Sequence, residues 1–279
     1  MSRVLFNSAQ PMVAVSGWLI LLAILLSAAN GLGLGLSAAA AGITFWLAGV
    51  LLAPRVVGLQ RIQTLVMLAI GCAGLLYAWM HGGEPQWSKV LVANQALLAM
   101  LAGVSFLRLV TLPQSAADEL DPRGPGALRR TLLGVHLFGS VINLSAVMIL
   151  GDRQSRRRPL APLQATVLSR GFSLAAHWSP FFAAMGVALS NSPGARLLVL
   201  SSVGLPVAAL GLALTAWQLS RRADAQDYVG YPMHFAALWI PGLLASLVLL
   251  FHLSAPSIPI LTLISGLAVL LTLGVLLVR

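Results

Sequence analysis

Charged residues are scarce in this sequence, and negative ones are the scarcest. Only 9% of the 279 residues are charged, whereas 58% are hydrophobic and the mean hydropathy is +0.91. A soluble domain carries about 25% charged residues. Each of the seven carboxylates lies in a short polar connector between apolar runs: Glu84, Asp118, Glu119, Asp121, Asp152, Asp224 and Asp227. This composition excludes a soluble protein and predicts an all-α polytopic membrane protein without acidic groups inside the bilayer.

Cysteine and lysine each occur once, as Cys72 and Lys89. A single cysteine excludes a disulfide framework or a cysteine metal site within one chain. The other basic residues are all arginine, and most lie in loops between apolar runs. The net charge of +10 is therefore the positive-inside signal of a membrane protein and predicts no nucleic-acid partner. The arginine, alanine, glycine and leucine richness indicates a GC-rich bacterial genome, so we expect the bacterial inner (plasma) membrane.

Long apolar runs dominate the chain, and most approach the roughly 20 residues that a helix needs to cross the hydrocarbon. They lie near 12–29, 32–53, 62–80, 89–112, 131–150, 161–190, 194–219, 231–253 and 257–278. The first run resembles a signal peptide, but its polar leader is long and another run follows at once, which favours a retained helix. We expect a four-helix scaffold-like part over 1–112, with 89–112 a single helix, and a transport-like part over 113–279.

The distribution of arginine predicts the topology. If the arginine-bearing connectors are cytoplasmic, both termini are cytoplasmic and the nearly uncharged connector 81–88 is an outer turn. The run 131–150 breaks the alternation, because strongly basic connectors flank it on both sides. A re-entrant hairpin here keeps every later connector on its expected side. The prediction is about eight transmembrane helices plus one re-entrant hairpin or broken helix; the alternative is an ordinary helix with a compensating irregularity at 161–173.

Polar residues within the run 131–150 indicate a first set of site residues. Asn143 and Ser145 fall near the tip of the expected hairpin, and Ser140 follows a possible break at Gly139. Short hairpin helices direct the N–H groups and the positive dipole end of their amino termini at whatever binds there. These residues therefore predict a site for a carboxylate or oxyanion. The alternative is that Ser and Asn join neighbouring helices by hydrogen bonds.

A second polar cluster follows in the run 161–190. Arg170 and His177 are seven residues apart and would share one face of a continuous helix, and we expect that helix to break at Ser179-Pro180 because proline removes a backbone donor. The run ends in three further candidate contacts, Ser190, Asn191 and Ser192. Alternatively, Arg170 extends to the headgroups and His177 packs at the interface.

Ionisable residues at membrane depth are costly and are retained mainly for function. Here they are positive or neutral (Arg108, His136, Arg170 and His177), which suits a small anion better than a cation. With no acid available, coupling would use sodium on backbone carbonyls and Asn or Ser oxygens, or a proton on His136 or His177. We expect no cofactor other than possible Na⁺.

The triplets Asn143-Leu144-Ser145 and Ser190-Asn191-Ser192 are similar to the Ser-Asn-Thr motif at hairpin tips of divalent-anion:sodium symporters. With the basic-flanked hairpin and the broken helix, residues 113–219 resemble the ion-transporter superfamily. The resemblance implies an elevator-type secondary transporter of organic or inorganic anions. Those carriers are longer and contain two inverted repeats, so the resemblance also implies either a homodimer that completes the site or a degenerate relative of such carriers.

Two other functional classes fit parts of the sequence. A membrane enzyme on a lipid-linked substrate would need a polar interfacial loop, and only residues 114–130 provide one. The sequence has no Walker loop, no glycine-rich dinucleotide turn and no HExxH helix, so we expect no enzyme. A non-catalytic membrane subunit of a larger complex is the remaining alternative, with a partner subunit paired to its polar residues.

Overall fold

The computed structural model describes residues 9–84, 86–111, 121–155, 159–192, 194–233 and 238–278. These residues form helices joined by turns, and within them the only β pairing is an isolated bridge between Arg123 and Val229. Several helices are long and apolar enough to lie in a bilayer. The predicted all-α membrane class is confirmed.

Six stretches of the described residues have the length and hydropathy of membrane spans. They are Pro11–Gly31, Ala38–Arg55, Gly58–Met80, Trp87–Thr111, Leu197–Ser220 and Ile260–Val278. Trp239–Ser254 is apolar but shorter, with 16 residues. The number of eight crossings therefore stays a prediction.

The chain divides into two compact units, Met1–Ala99 and Met100–Arg279. The expected boundary between 112 and 113 lies outside the described residues and stays a prediction. The helices of the first unit are α1 (Ala9–Gly31), α2 (Ala38–Leu52), α3 (Gly58–Met80) and α4 (Trp87–Val92), and α5 (Gln95–Phe106) begins there. Small buried residues such as Ser27 and Ala41 allow α1 and α2 to pack closely, whereas no residue of α3 is buried.

The expected single helix over 89–112 is wrong, because the structure interrupts it. α4 ends at Val92, and Asn94 adopts a φ of 60° before α5 begins. Asparagine tolerates this left-handed region better than other non-glycine residues. An asparagine in an apolar run therefore indicates either a break in the helix or a polar contact with a neighbouring helix.

The second unit contains the remaining helices: α6 (Arg108–Thr111), α7 (Gly124–Ile142), α8 (Leu144–Ser155), α9 (Pro162–Ala175), α10 (Ala183–Asn191), α11 (Leu197–Ser220), α12 (Trp239–Ser254) and α13 (Ile260–Val278). α7 and α9 run parallel, since Leu128 at the start of α7 packs with Leu163 at the start of α9, and Gly139 near the end of α7 packs with Phe172. α8, which lies between them in the chain, runs in the opposite direction and contacts both helices.

α11 runs antiparallel to α9. Its Gly204 lies against the carbonyl of His177, just beyond the end of α9, and its Gln218 reaches back to Arg170. Glycine at position 204 permits this approach, because a Cβ there would lie 2.6 Å from the carbonyl carbon of His177. The second unit thus places α7, α8, α9 and α11 side by side, with apolar side chains between them.

Candidate functional site

α7 and α8 form a helical hairpin that turns at Asn143. Asn143 adopts φ 57° and ψ −141°, which is a backbone conformation that ends α7 and reverses the chain. The opposite ends of both helices meet residues 228–231, which we call the strap. Thr131 Oγ1 near the start of α7 accepts a hydrogen bond from Tyr231 N (2.9 Å), and Arg153 near the end of α8 lies over the Tyr231 ring, 5.0 Å from its centroid. α7 and α8 therefore form a helical hairpin that includes the run 131–150, and its re-entrant placement in the membrane stays a prediction.

The strap is held by side chains from α8 and α9. The Val229 carbonyl accepts hydrogen bonds from Gln164 Nε2 at 2.8 Å and from Gln154 Nε2 at 3.5 Å. Gly230 N also donates to Pro122 O at 2.8 Å. These contacts bring the two ends of the hairpin and the start of α9 to one level of the molecule.

A second break separates α9 from α10. Residues 176–182, which we call the unwound segment, are not helical, and the break expected at Ser179-Pro180 is confirmed. Proline cannot donate a backbone hydrogen bond and disfavours helix in the residue before it. The break leaves carbonyl groups without a partner inside the helix, and a side chain of another helix bonds to one of them: Ser201 Oγ on α11 donates to Trp178 O at 2.7 Å.

Two hydrogen bonds join the breaks to each other. Asn143 Nδ2 donates to Phe181 O at 3.2 Å, and the buried Ser179 hydroxyl donates to Ser140 O. The Ser140 carbonyl lies in the last turn of α7, where carbonyls have no partner within the helix. We call the residues Ser140, Asn143, Trp178, Ser179 and Phe181 the break site. The two breaks therefore lie side by side.

The Asn143–Phe181 hydrogen bond also brings together the starts of two short helices. α8 begins at Leu144 and has 12 residues, and α10 begins at Ala183 and has nine. The side chain of Phe182 does not cap α10. The Asn143 side chain makes one hydrogen bond within the described structure, through its nitrogen, so its oxygen does not cap α8. Each start thus presents backbone N–H groups and the positive end of a helix dipole. Leu144 is 56% exposed, so the start of α8 is accessible.

The structure brings some of the expected site residues together. Asn143 and Ser140 belong to the break site, and the half-buried Ser145 is the second residue of α8. The Ser140 hydroxyl itself donates to Leu137 O at 2.8 Å, so only its carbonyl takes part in the junction.

Other expected residues lie away from that junction. Arg170 is exposed and donates to Gln218 Oε1 at 2.8 Å. Ser190, Asn191 and Ser192 are exposed at the far end of α10, where Asn191 Nδ2 donates to Val187 O at 2.9 Å. Whether any of these residues contacts a ligand stays a prediction.

The face expected to carry Arg170 and His177 together is interrupted. α9 does continue through Gly171, but it ends at Ala175, so His177 lies in the unwound segment. Its exposed ring approaches its own chain, with Nδ1 3.1 Å from Leu174 O. The spacing of seven residues therefore gives no shared helical face here.

Sequence reasoning missed several residues of this region. His136 was identified at membrane depth but not assigned to the site, and its ring contacts Trp178 of the break site. Ser179 carried one usable signal, the proline that follows it. Ser201 carried none, because a single serine in an apolar helix is common and its partner is 23 residues away.

Within the described residues no group of three His, Cys, Asp or Glu side chains could hold a metal ion. The groups that face the break are amide, hydroxyl and indole side chains and backbone N–H and C=O. They can bind a small polar or negatively charged group by hydrogen bonds, but they supply no nucleophile oriented by a neighbouring acid. No protein-family model, no curated protein and no solved structure matches this chain.

Proposed function

We propose that this membrane protein is a secondary transporter of a small anion, which binds where α8 and α10 begin. The observation that carries the proposal is the meeting of two helix starts at the Asn143–Phe181 hydrogen bond. Helix amino termini bind anions through free N–H groups and the dipole. In membrane transporters, discontinuous helices commonly provide such ends at the substrate site.

The chemistry around the break supports an anion over a cation. Described carboxylates such as Asp152 and Asp224 lie at helix ends or in connectors, away from the break. The second N–H of the Asn143 amide and the Ser145 hydroxyl are neutral donors that can bind an anion. We favour sodium as the coupling ion that drives transport, and it would bind to carbonyl oxygens near the two breaks.

The proposal includes a membrane arrangement. The α7–α8 hairpin enters and leaves on the cytoplasmic side, since the basic connectors at both of its ends favour that side. The non-helical residues at its tip are tolerated at depth because the unwound segment supplies hydrogen-bond partners for Asn143 and for the Ser140 carbonyl. Both termini then lie in the cytoplasm of a bacterial cell, and two copies form a homodimer.

The test uses purified protein in proteoliposomes with a panel of labelled monocarboxylates, dicarboxylates, sulfate and phosphate. Replacement of Asn143 by glycine removes the side chain and keeps the positive φ, which alanine would strain. A hydrogen bond to a charged ligand contributes about 1.5–3 kcal/mol, so Asn143→Gly should weaken binding at least about tenfold. Ser145→Ala should weaken binding in the same direction.

Ser254→Ala is the matched control for Ser145→Ala, because Ser254 is exposed at the end of α12 and its hydroxyl bonds only within its own helix in the described structure. It should transport as the unsubstituted protein does. Saturable uptake of an anion that neither Asn143→Gly nor Ser145→Ala affects would place the site elsewhere. Absence of saturable uptake across the whole panel would contradict the transporter proposal.

A further inference from the structure

His136 is buried in α7 and makes a hydrogen bond through each ring nitrogen. Its side chain is among the least exposed polar groups, at 4%. Nδ1 lies 3.1 Å from Gly171 O, and Nε2 lies 3.1 Å from Trp178 Nε1. A carbonyl only accepts and an indole N–H only donates. The proton is therefore on Nδ1, and Nε2 accepts from Trp178.

This arrangement fixes the ring as a neutral imidazole. A second proton on Nε2 would face the Trp178 N–H, so two donors would meet in a buried place. His177 acts electrostatically on this ring from the unwound segment, and Arg170 precedes its partner Gly171 on α9 but bonds to Gln218. No carboxylate in the described part of the chain contacts the ring, so nothing there stabilises an imidazolium ion.

The same ring connects three parts of the site. It joins α7 to the last turn of α9 through Gly171, and to the unwound segment through Trp178. Trp178 is also held from the other side, by Ser201 of α11. The next residue, Ser179, bonds to α7. The position of the Trp178 ring therefore helps to set where the chain enters α10.

We infer that His136 is a positioning residue for the anion site, which holds Trp178 as a neutral Nδ1–H imidazole and does not carry a coupled proton. The positioning part rests on the proposed function, since it concerns the start of α10 as a binding group. The protonation part rests on the hydrogen bonds alone. A proton-coupled cycle through His136 is the competing arrangement.

The test is nitrogen NMR of the full chain in lipid bilayers with ¹⁵N-labelled histidine. The His136 signals are those missing from the spectrum of His136→Gln. From pH 8 to pH 5 they should show a protonated Nδ1 and an unprotonated Nε2. A proton on Nε2, or double protonation of His136 near pH 6, would overturn the inference.

A second variant tests the role of Trp178. In Trp178→Phe the Nε2 of His136 loses its donor, so its signals should begin to change with pH. For whichever carboxylate, sulfate or phosphate binds the unsubstituted protein, Trp178→Phe should weaken binding about tenfold. The exposed Trp79 provides the control, and Trp79→Phe should have no effect on either readout.

The outcomes separate the two proposals. If none of these anions binds but His136 shows the expected protonation, the transporter proposal fails and the neutral imidazole stands. If an anion binds and Trp178→Phe binds it as tightly as the unsubstituted protein, the positioning role is wrong. An unchanged, non-titrating His136 in Trp178→Phe would also contradict the assigned hydrogen bond.

Discussion

Replacement of Gly204 by alanine should separate α11 from the unwound segment. Gly204 lies against the backbone of His177, and an added Cβ would overlap the carbonyl oxygen and lie 2.6 Å from the carbonyl carbon. Backbone atoms cannot rotate away as the end of a side chain can. The two segments must therefore move apart at the place where Ser201 Oγ reaches Trp178 O.

The expected loss of stability follows from three contributions. Alanine in place of glycine inside a helix stabilises by about 0.5–1 kcal/mol. Overpacking against a fixed neighbour costs about 1–3 kcal/mol, and a weakened Ser201–Trp178 hydrogen bond costs about 1 kcal/mol more. The net effect is a decrease of about 2 kcal/mol in the free energy of unfolding. For a unit of this size that corresponds to a melting temperature lower by about 5 °C.

Thermal unfolding in detergent, monitored by circular dichroism, measures this shift in melting temperature. Gly242→Ala is one control, because nothing lies within 4 Å of a Cβ at that position of α12. Gly211→Ala is a stricter one on α11 itself, where the Cβ meets only the movable end of Leu174, 2.5 Å away. Gly204→Ala should melt below both controls. Equal melting temperatures for all three variants would refute the close packing of α11 on the unwound segment.

The remaining predictions concern the strap and the topology. Burial raises the pKa of Tyr228 to about 12 from its usual 10.0. Its neutral hydroxyl therefore stabilises the fold below pH 10, and this contribution of about 2–3 kcal/mol is lost as pH rises through 12. Tyr228→Phe should abolish this alkaline loss of stability in melting curves, whereas Tyr77→Phe, at an exposed position, should not. Gln164→Ala leaves the Val229 carbonyl without its 2.8 Å donor and should lower the unfolding free energy by about 1–3 kcal/mol in the same melting assay; an unchanged melting temperature would show that the strap is not held there. In a cysteine-free background, an impermeant reagent applied to intact cells should label Glu84→Cys but not Asp152→Cys; labelling at 152 would contradict the re-entrant hairpin.

The breaks could be predicted from the sequence where local chemistry decides them. Pro180 cannot continue a helix, and the arginines on both sides of 131–150 disfavour a single crossing, so the broken helix and the hairpin were both expected. Asn94 was not recognised as a break, because asparagine in an apolar run also serves as a helix contact. Local patterns thus predicted the two breaks at the candidate site and missed the break at Asn94.

The contacts between the breaks could not be predicted. His136 meets Trp178 only because α7 and α9 run parallel, and no sequence pattern within either helix encodes that direction. For the same reason Arg170 and His177 were expected on one face, although their spacing has that meaning only while the helix continues. Asn143 and Ser140 were expected near the hairpin tip and do lie at the break, but their contact with a ligand stays a prediction.

The strap also constrains the order in which this protein can mature. The hairpin ends at Ser155, but the residues that tie its two ends together are 228–231, about 75 residues later in synthesis. At about 5–20 residues per second, a nascent hairpin waits roughly 4–15 s before Tyr231 and Val229 reach it. During that interval the unwound segment can already bond to the tip of the hairpin, but the two ends of the hairpin still lack the strap. Insertion of this region is therefore expected to finish late, after α11 has entered the membrane, and a chain truncated before residue 228 should be a substrate for membrane quality control.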